Sequence, residues 1–421
     1  MSANNTPWLR IDAGRRSVSI DSTHPDFYND PYATYERIRA VAPAFYWEEQ
    51  RVWCFMNAAD VGAILRDRRF GRELLPRAGQ EAPAPLAAPG HLAAFHAVNR
   101  DSMLEREPPV HTRLRTLVNR AFVARNIERL RPRISALAHD LIDRMKPSRQ
   151  ADLITAYATP IPVVVIAELL GVPTDMSSQL VDWSHRMVAV YQLGHRREME
   201  DLAESATREF SGFLRGYFAE RRRRPADDLI THLLNVEATG ERLSEDEMIA
   251  TCILLLNAGH EGTVHSIGNA VKTILEQGTD VRAAFANEAA TEATVEECLR
   301  FDPPLHMFNR FAQEDVEVAG VKLGRGAEVS LLYGAANRDP SRYERAGVFD
   351  PARPLQGAAS AHASFGGGIH FCLGAPLARL ELQIALPILF ERLPGIFIRD
   401  RPLYRDTFHF HGLESLNLGW P

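Results

Sequence analysis

One stretch of this chain dictates much of its interior. Ser244-x-x-Glu247 reads as a capping box, and from there to Glu276 no proline interrupts before Gly278 offers a stop. The spacing predicts one helix of about 33 residues, roughly 50 Å long at 1.5 Å per residue. Isoleucine, leucine, alanine and valine occur nearly all round it, so the helix runs through the core rather than along the surface. Its middle reads Asn257-Ala258-Gly259-His260-Glu261-Gly262-Thr263. Two glycines and two ionisable side chains inside a buried helix are locally unfavourable, and such rule-breaking marks function.

Residues 107–275 are mostly helical in pattern, and residues 161–172 form an apolar run that reads as a buried helix starting at or just after Pro162. Strand-like alternation is confined to residues 316–321 and 328–332, with short strands expected near residues 408–418. Residues 80–90, rich in alanine and proline, read as loop. No repeat or long linker divides the 421 residues. The expectation is a mainly α fold, a helical bundle with a long central helix and small peripheral β-sheets. It forms one domain over residues 1–421, with residues 1–23 poorly ordered.

Charge and cysteine usage exclude several classes. The net charge is −6, and the run Arg221-Arg222-Arg223-Arg224 is soon followed by Asp227 and Asp228, so it reads as a solvated helix end and not a nucleic-acid footprint. Cys54, Cys252, Cys298 and Cys372 are scattered, without CxxC spacing, which fits a reducing cytosol and not a disulfide scaffold. The N-terminus has no signal-peptide pattern, and no run of about 18 apolar residues occurs.

Cys372 stands in the stretch Phe365-Gly366-Gly367-Gly368-Ile369-His370-Phe371-Cys372-Leu373-Gly374-Ala375. Three consecutive glycines allow a sharp turn and close approach to a flat ligand. Good helix formers follow from Pro376, so the thiol is expected just before a helix N-terminus, where free N–H groups and the helix dipole lower a thiol pKa. A lone thiolate shielded by Phe365, Phe371, Leu373 and Leu377 suits an axial ligand to haem iron.

This segment resembles the cysteine-ligand loop of the cytochrome P450 family, Phe-Gly-x-Gly-x-(His/Arg)-x-Cys-x-Gly; Phe365, Gly366, Gly368, His370, Cys372 and Gly374 meet every fixed position. Ala258, Gly259 and Glu261 similarly match the family's oxygen-binding segment, (Ala/Gly)-Gly-x-(Asp/Glu)-Thr. There the small residues leave space for dioxygen and the acid relays protons. The alcohol expected next is Gly262, and Thr263 comes one place later, about 100° round the helix. Three readings of that departure stand. A substrate hydroxyl or ordered water replaces the alcohol, a local kink swings Thr263 inward, or the enzyme uses peroxide or runs a non-oxygenating dehydration or rearrangement.

The resemblance implies further residues. Glu297 and Arg300, with Arg353 from the later Phe349-Asp350-Pro351-Ala352-Arg353 stretch, form a Glu-Arg-Arg set that locks the cysteine loop. His111, Arg115, Arg310 and His370 are expected to hold the haem propionates, with Ala258 and Phe365 also against the haem. Arg113 and Arg379 are expected as proximal-surface charges that meet an acidic electron donor. The substrate would touch residues 74–96 and 188–193, with Val188, Leu256, Leu305, Phe308, Phe408 and His409 among the contacts. His306 and His409 are candidates for a substrate oxygen or carboxylate, although ordinary hydrogen-bonded residues are commoner. The implied activity is that of a soluble, bacterial-type, cytoplasmic haem-thiolate monooxygenase, with haem b as cofactor and Cys372 as iron ligand. Its partners would be dioxygen, a small hydrophobic substrate and a ferredoxin-type electron donor with its reductase. A non-catalytic haem sensor is the reading from another class.

Overall fold

The computed structural model describes residues 6–76, 89–119, 122–235, 242–353 and 362–421. The capping box forms as expected: the Glu247 N–H donates to Ser244 Oγ at 3.1 Å and the Ser244 N–H to Glu247 Oε2 at 2.9 Å. Behind it a single helix runs from Glu245 to Glu276. The helices Pro160–Leu170, Glu288–Phe301 and Ala375–Arg392 pack against it, and their apolar faces share one large core. Gly259 permits the first of these contacts, since a Cβ there would sit 3.0 Å from Ile166 Cγ1. The apolar helix begins at Pro160, slightly before the expected start, because proline is tolerated in a first turn whose N–H groups lack helical partners.

A seven-stranded sheet lies to one side, in spatial order Leu9–Asp12, Ser17–Ile20, Ala44–Trp47, Val52–Phe55, Glu328–Leu332, Met307–Ala312 and Phe70–Gly71. Residues 9–20, expected to be poorly ordered, supply its first two strands; Leu9, Val18 and Ile20 are buried in a second core with Phe27 and Trp47. Residues 316–321, read as one alternating strand, are instead most of a hairpin. Val316–Val318 pairs with Val321–Leu323 across Ala319 and Gly320, both at positive φ (49° and 70°), the geometry that matches strand twist in a two-residue turn.

Near the C-terminus the expected short strands are Leu413–Ser415 and Asn417–Gly419. Most of the loop expected at 80–90 lies outside the described residues. The arginine run closes the helix Arg197–Arg223, and Arg221 pairs with Asp228 at 2.9 Å. All four cysteines are free. Among the described residues no helix is long and apolar enough to cross a membrane.

Candidate active site

The cysteine loop is built on backbone. It turns through Gly366 and Gly368, at φ 68° and 66°, and the Cys372 N–H donates to Phe365 O at 2.9 Å. A Cβ on residue 368 would collide with the Leu65 carbonyl oxygen, so the loop closes on the helix Ala58–Arg66 only with glycine there. The helix Ala375–Arg392 starts just beyond, which places Cys372 before its N-terminus as predicted. The residue is solvent-accessible, yet burial is the largest influence on its thiol. Both hold if Sγ faces an internal recess walled by protein. The expected lowering of the thiol pKa is not what the chain alone provides. Burial pushes the thiol up, and the Gly374 and Ala375 amides, Arg115 and Arg379 oppose it without prevailing. A cation on the sulfur is needed to hold a thiolate there.

The middle of the long helix supplies a second opening. Ala258 is exposed although the helix around it is largely buried, and a Cβ on Gly262, one turn later, would meet no atom within 4 Å. Thr263 does not swing toward that opening. It is buried and turned toward the equally buried Glu381 of the helix Ala375–Arg392, although neither Glu381 oxygen has a hydrogen bond of good geometry. Burial pushes the Glu381 carboxyl up to about 8, only partly offset by Thr263.

Glu261 is buried among three histidines. His185 Nε2 and His260 Nε2 lie 3.2 and 3.6 Å from its Oε1, and His265 Nε2 lies 3.3 Å from its Oε2. Burial alone would raise this carboxyl, but His260 and His265 hold it well below the usual carboxylate range. The pairing with His265 was legible as an i, i+4 spacing on one helix. His185, on the helix Ser177–Val188, had no sequence signal.

The four expected propionate contacts converge. His111 and His370 pack with ring centroids 4.4 Å apart, and Arg115 Nη2 donates to Phe371 O at 2.7 Å. Arg310 is buried, within electrostatic reach of Glu107 and Tyr333. Glu107, which sequence reasoning missed, accepts from His370 Nε2 at 2.9 Å and from the Arg72 N–H at 2.7 Å. His111 is not a cation in this setting: burial, then His370 and Arg115, hold it down at about 4. Its buried Nδ1 has no hydrogen-bond partner. An anionic group among these residues would partner that nitrogen and reverse the shift.

Behind the loop, Arg300 Nε and Nη2 each donate to Glu297 at 2.7 Å, and Arg353 Nε reaches the same carboxylate at 3.2 Å. Arg300 also donates to the Asn337 and Ala346 carbonyl oxygens, and Arg353 to that of Glu344, tying residues 337–353 to the helix Glu288–Phe301. Removing one member of such a buried charge network costs about 3–5 kcal/mol.

The residues expected to line a substrate pocket lie in different settings. Leu305, Phe308 and His409 are only half-buried; Phe308 and His409 lie 6.2 Å apart, and Tyr191 stands 6.4 Å from His409. Burial, followed by Arg72, holds His409 at about 4, so its ring is neutral at pH 7. Phe408 is instead buried against Phe27 and Trp47, because alternate residues on this segment face opposite ways. His306 is fully buried between Tyr32 and Tyr35, with Nδ1 2.9 Å from the Tyr35 hydroxyl, and cannot reach a substrate. Leu256 and Val188 are buried in the structure. Residues 77–88 of the expected loop lie outside the described residues.

Residues 73–277 and 271–394 match the family model described as Cytochrome P450. The chain belongs to the cytochrome P450 family. The biotin biosynthesis cytochrome P450 of Bacillus subtilis (strain 168) is 33% identical over 403 residues, covering 95% of this chain and 98% of that relative. The polyketide biosynthesis cytochrome P450 PksS of the same organism is 35% identical over 406 residues, covering 93% and 97%. The crystal structure of P450BioI in complex with acyl carrier protein ligated to hexadec-9Z-enoic acid superimposes with a TM-score of 0.86 at 34% identity, covering 94% of this chain and all of that one.

A P450 is an oxidoreductase that binds haem b through a cysteine thiolate, which sets aside the non-catalytic reading. The residues present fit that group. A free cysteine before a helix, side-chain-poor openings at Ala258 and Gly262, and the unpartnered His111 nitrogen beside Arg115 suit iron, macrocycle and propionates in turn. Arg113 and Arg379, expected as proximal-surface charges of this P450, each have a carboxylate partner within the chain. Glu247 binds Arg113 through both terminal guanidinium nitrogens, Nη1 and Nη2, and Glu296 accepts from Arg379 Nη2 at 2.8 Å. Arg379 also lies over the Phe365 ring at 4.4 Å, so it braces the cysteine loop from behind.

Proposed function

We propose that this P450 inserts one oxygen atom from dioxygen into a small hydrophobic substrate, taking electrons from a ferredoxin-type protein and its reductase. The observation that carries the reading is the position of Cys372, on a loop turned by Gly366 and Gly368 just before the N-terminus of the helix Ala375–Arg392. In this reading Cys372 is the axial ligand, while His111, Arg115, Arg310 and His370 receive the propionates. Glu297, Arg300 and Arg353 keep the loop in place. Haem supplies the reduction of dioxygen, and the protein positions and tunes it.

The chain's own part is to orient substrate and move protons. Phe308, Leu305 and Tyr191 present apolar or aromatic surface, and neutral His409 offers a single polar contact, which suits a hydrophobic molecule with few anchors. The named relatives serve biotin and polyketide biosynthesis, and a lipid-like or polyketide-like intermediate fits such a wall. A proton taken up at His185 Nε2 has Glu261 Oε1 3.2 Å away. Beyond Glu261, a substrate hydroxyl or ordered water fills the role of the alcohol absent at Gly262.

A second reading, peroxide use or a non-oxygenating reaction, is favoured by Gly262 together with the outward turn of Thr263 to Glu381. Turnover of a hydrophobic substrate panel with ferredoxin, reductase and NAD(P)H, set against peroxide alone, separates the two. Product from the electron-transfer system supports oxygen reduction. Product with peroxide only would reject it.

A further inference from the structure

His185, His260 and Glu261 each turn one donor atom into a common space, all within 4.8 Å of one another. Glu261 Oε1 lies 3.2 Å from His185 Nε2 and 3.6 Å from His260 Nε2. These separations are close to the edge of a tetrahedron with bonds of about 2.0–2.1 Å, the zinc–nitrogen and zinc–oxygen lengths. The tautomer of His260 decides what the space can hold. Its Nδ1 lies 2.8 Å from the Leu256 carbonyl oxygen, which can only accept, so Nδ1 carries the proton.

On the neutral ring Nε2 is then a bare lone pair, buried, without a hydrogen-bond partner, and aimed at a carboxylate oxygen. Two acceptors facing each other in a buried site repel; a second proton on the ring relieves this, and is the state in which His260 lowers the Glu261 pKa, while a metal cation in that proton's place relieves it with two bonds. A ring whose Nδ1–H is fixed by a backbone carbonyl while Nε2 points outward is how proteins orient metal-binding histidines. His265 Nε2, 3.3 Å from Glu261 Oε2, steadies the carboxylate from its other side. His185, with its side chain 44% exposed, leaves an approach for the ion and for a water ligand.

We propose that His185 Nε2, His260 Nε2 and Glu261 Oε1 form a binding site for a divalent transition-metal ion of the zinc class, with His265 as a positioning residue. Two imidazoles select against magnesium and calcium, which prefer oxygen donors. The site's donors come from the helices Ser177–Val188 and Glu245–Glu276 and not from the cysteine loop. When filled, it takes His185 and Glu261 out of the proton route and slows turnover.

The test uses the holoprotein without an affinity tag, equilibrated with micromolar zinc chloride. Metal content is measured per haem iron, and X-ray absorption is recorded at the zinc edge. The expected result is one zinc per chain with two imidazole ligands, and binding weakened roughly tenfold or more in His185→Gln and in His260→Gln. His185 is exposed, so its variant keeps the test decisive if the buried His260 variant fails to fold. A rival location exists where His91 and His195 flank Glu200 at 2.8 and 3.2 Å. The double variant His91→Gln/His195→Gln should leave zinc binding unchanged. No bound zinc would overturn the proposal, as would zinc that survives His185→Gln and disappears with the His91/His195 pair. The first of these outcomes means that His260 carries a second proton and simply ion-pairs with Glu261.

Discussion

Glu381 shows how one buried carboxyl ties stability to pH. Its folded pKa is about 8 against an ordinary 4.5, because burial disfavours the anion. Between those values the folded chain holds a proton that the unfolded chain has released. Stability therefore falls as pH rises from about 4.5 to about 8, by on the order of a few kcal/mol. Glu381→Gln mimics the protonated acid. It should flatten thermal stability across that window and raise the melting temperature at pH 8, as calorimetry at a series of pH values would read. Gly262 offers a second residue-level expectation. A Cβ there meets nothing within 4 Å and threonine has a better helix propensity than glycine, so Gly262→Thr should fold normally. If the missing alcohol limits proton delivery, this variant should form more product per NAD(P)H consumed. An unchanged ratio would mean that substrate or water already does the work.

At the level of elements, what was legible in the sequence was what is local. The cap and both ends of the helix Glu245–Glu276, and the cysteine loop before the helix Ala375–Arg392, follow from spacing, glycine and proline alone. The strand reading of 316–321 failed because Ala319 sits at positive φ, a conformation rare for a residue with a Cβ. The cysteine loop is the element most sensitive to change. Gly368 combines positive φ with close approach to the Leu65 carbonyl oxygen, so Gly368→Ala is strained twice over. Purified Gly368→Ala should retain little haem and melt several degrees lower, whereas alanine at the open Gly262 should do neither.

Across the whole molecule, what the sequence hid is what the fold brings together from far apart. His370 meets Glu107 across 263 residues, and Arg379 meets Glu296 across 83. Neither carboxylate carries a local signal that would pair it with its distant partner. Phe408 was misplaced for the same reason: only its packing against Phe27 shows that it faces the second core, while His306, bonded to Tyr35, fits the commoner reading of a hydrogen-bonded residue. The candidate site nonetheless rests on one atom that local sequence did place, the sulfur of Cys372 before its helix. The direct test is the absorption spectrum of the haem-loaded protein, reduced and treated with carbon monoxide. The native chain should give the red-shifted thiolate-type band, and Cys372→Ser should lose it. A native protein without that band, or a serine variant that keeps it, would contradict the account.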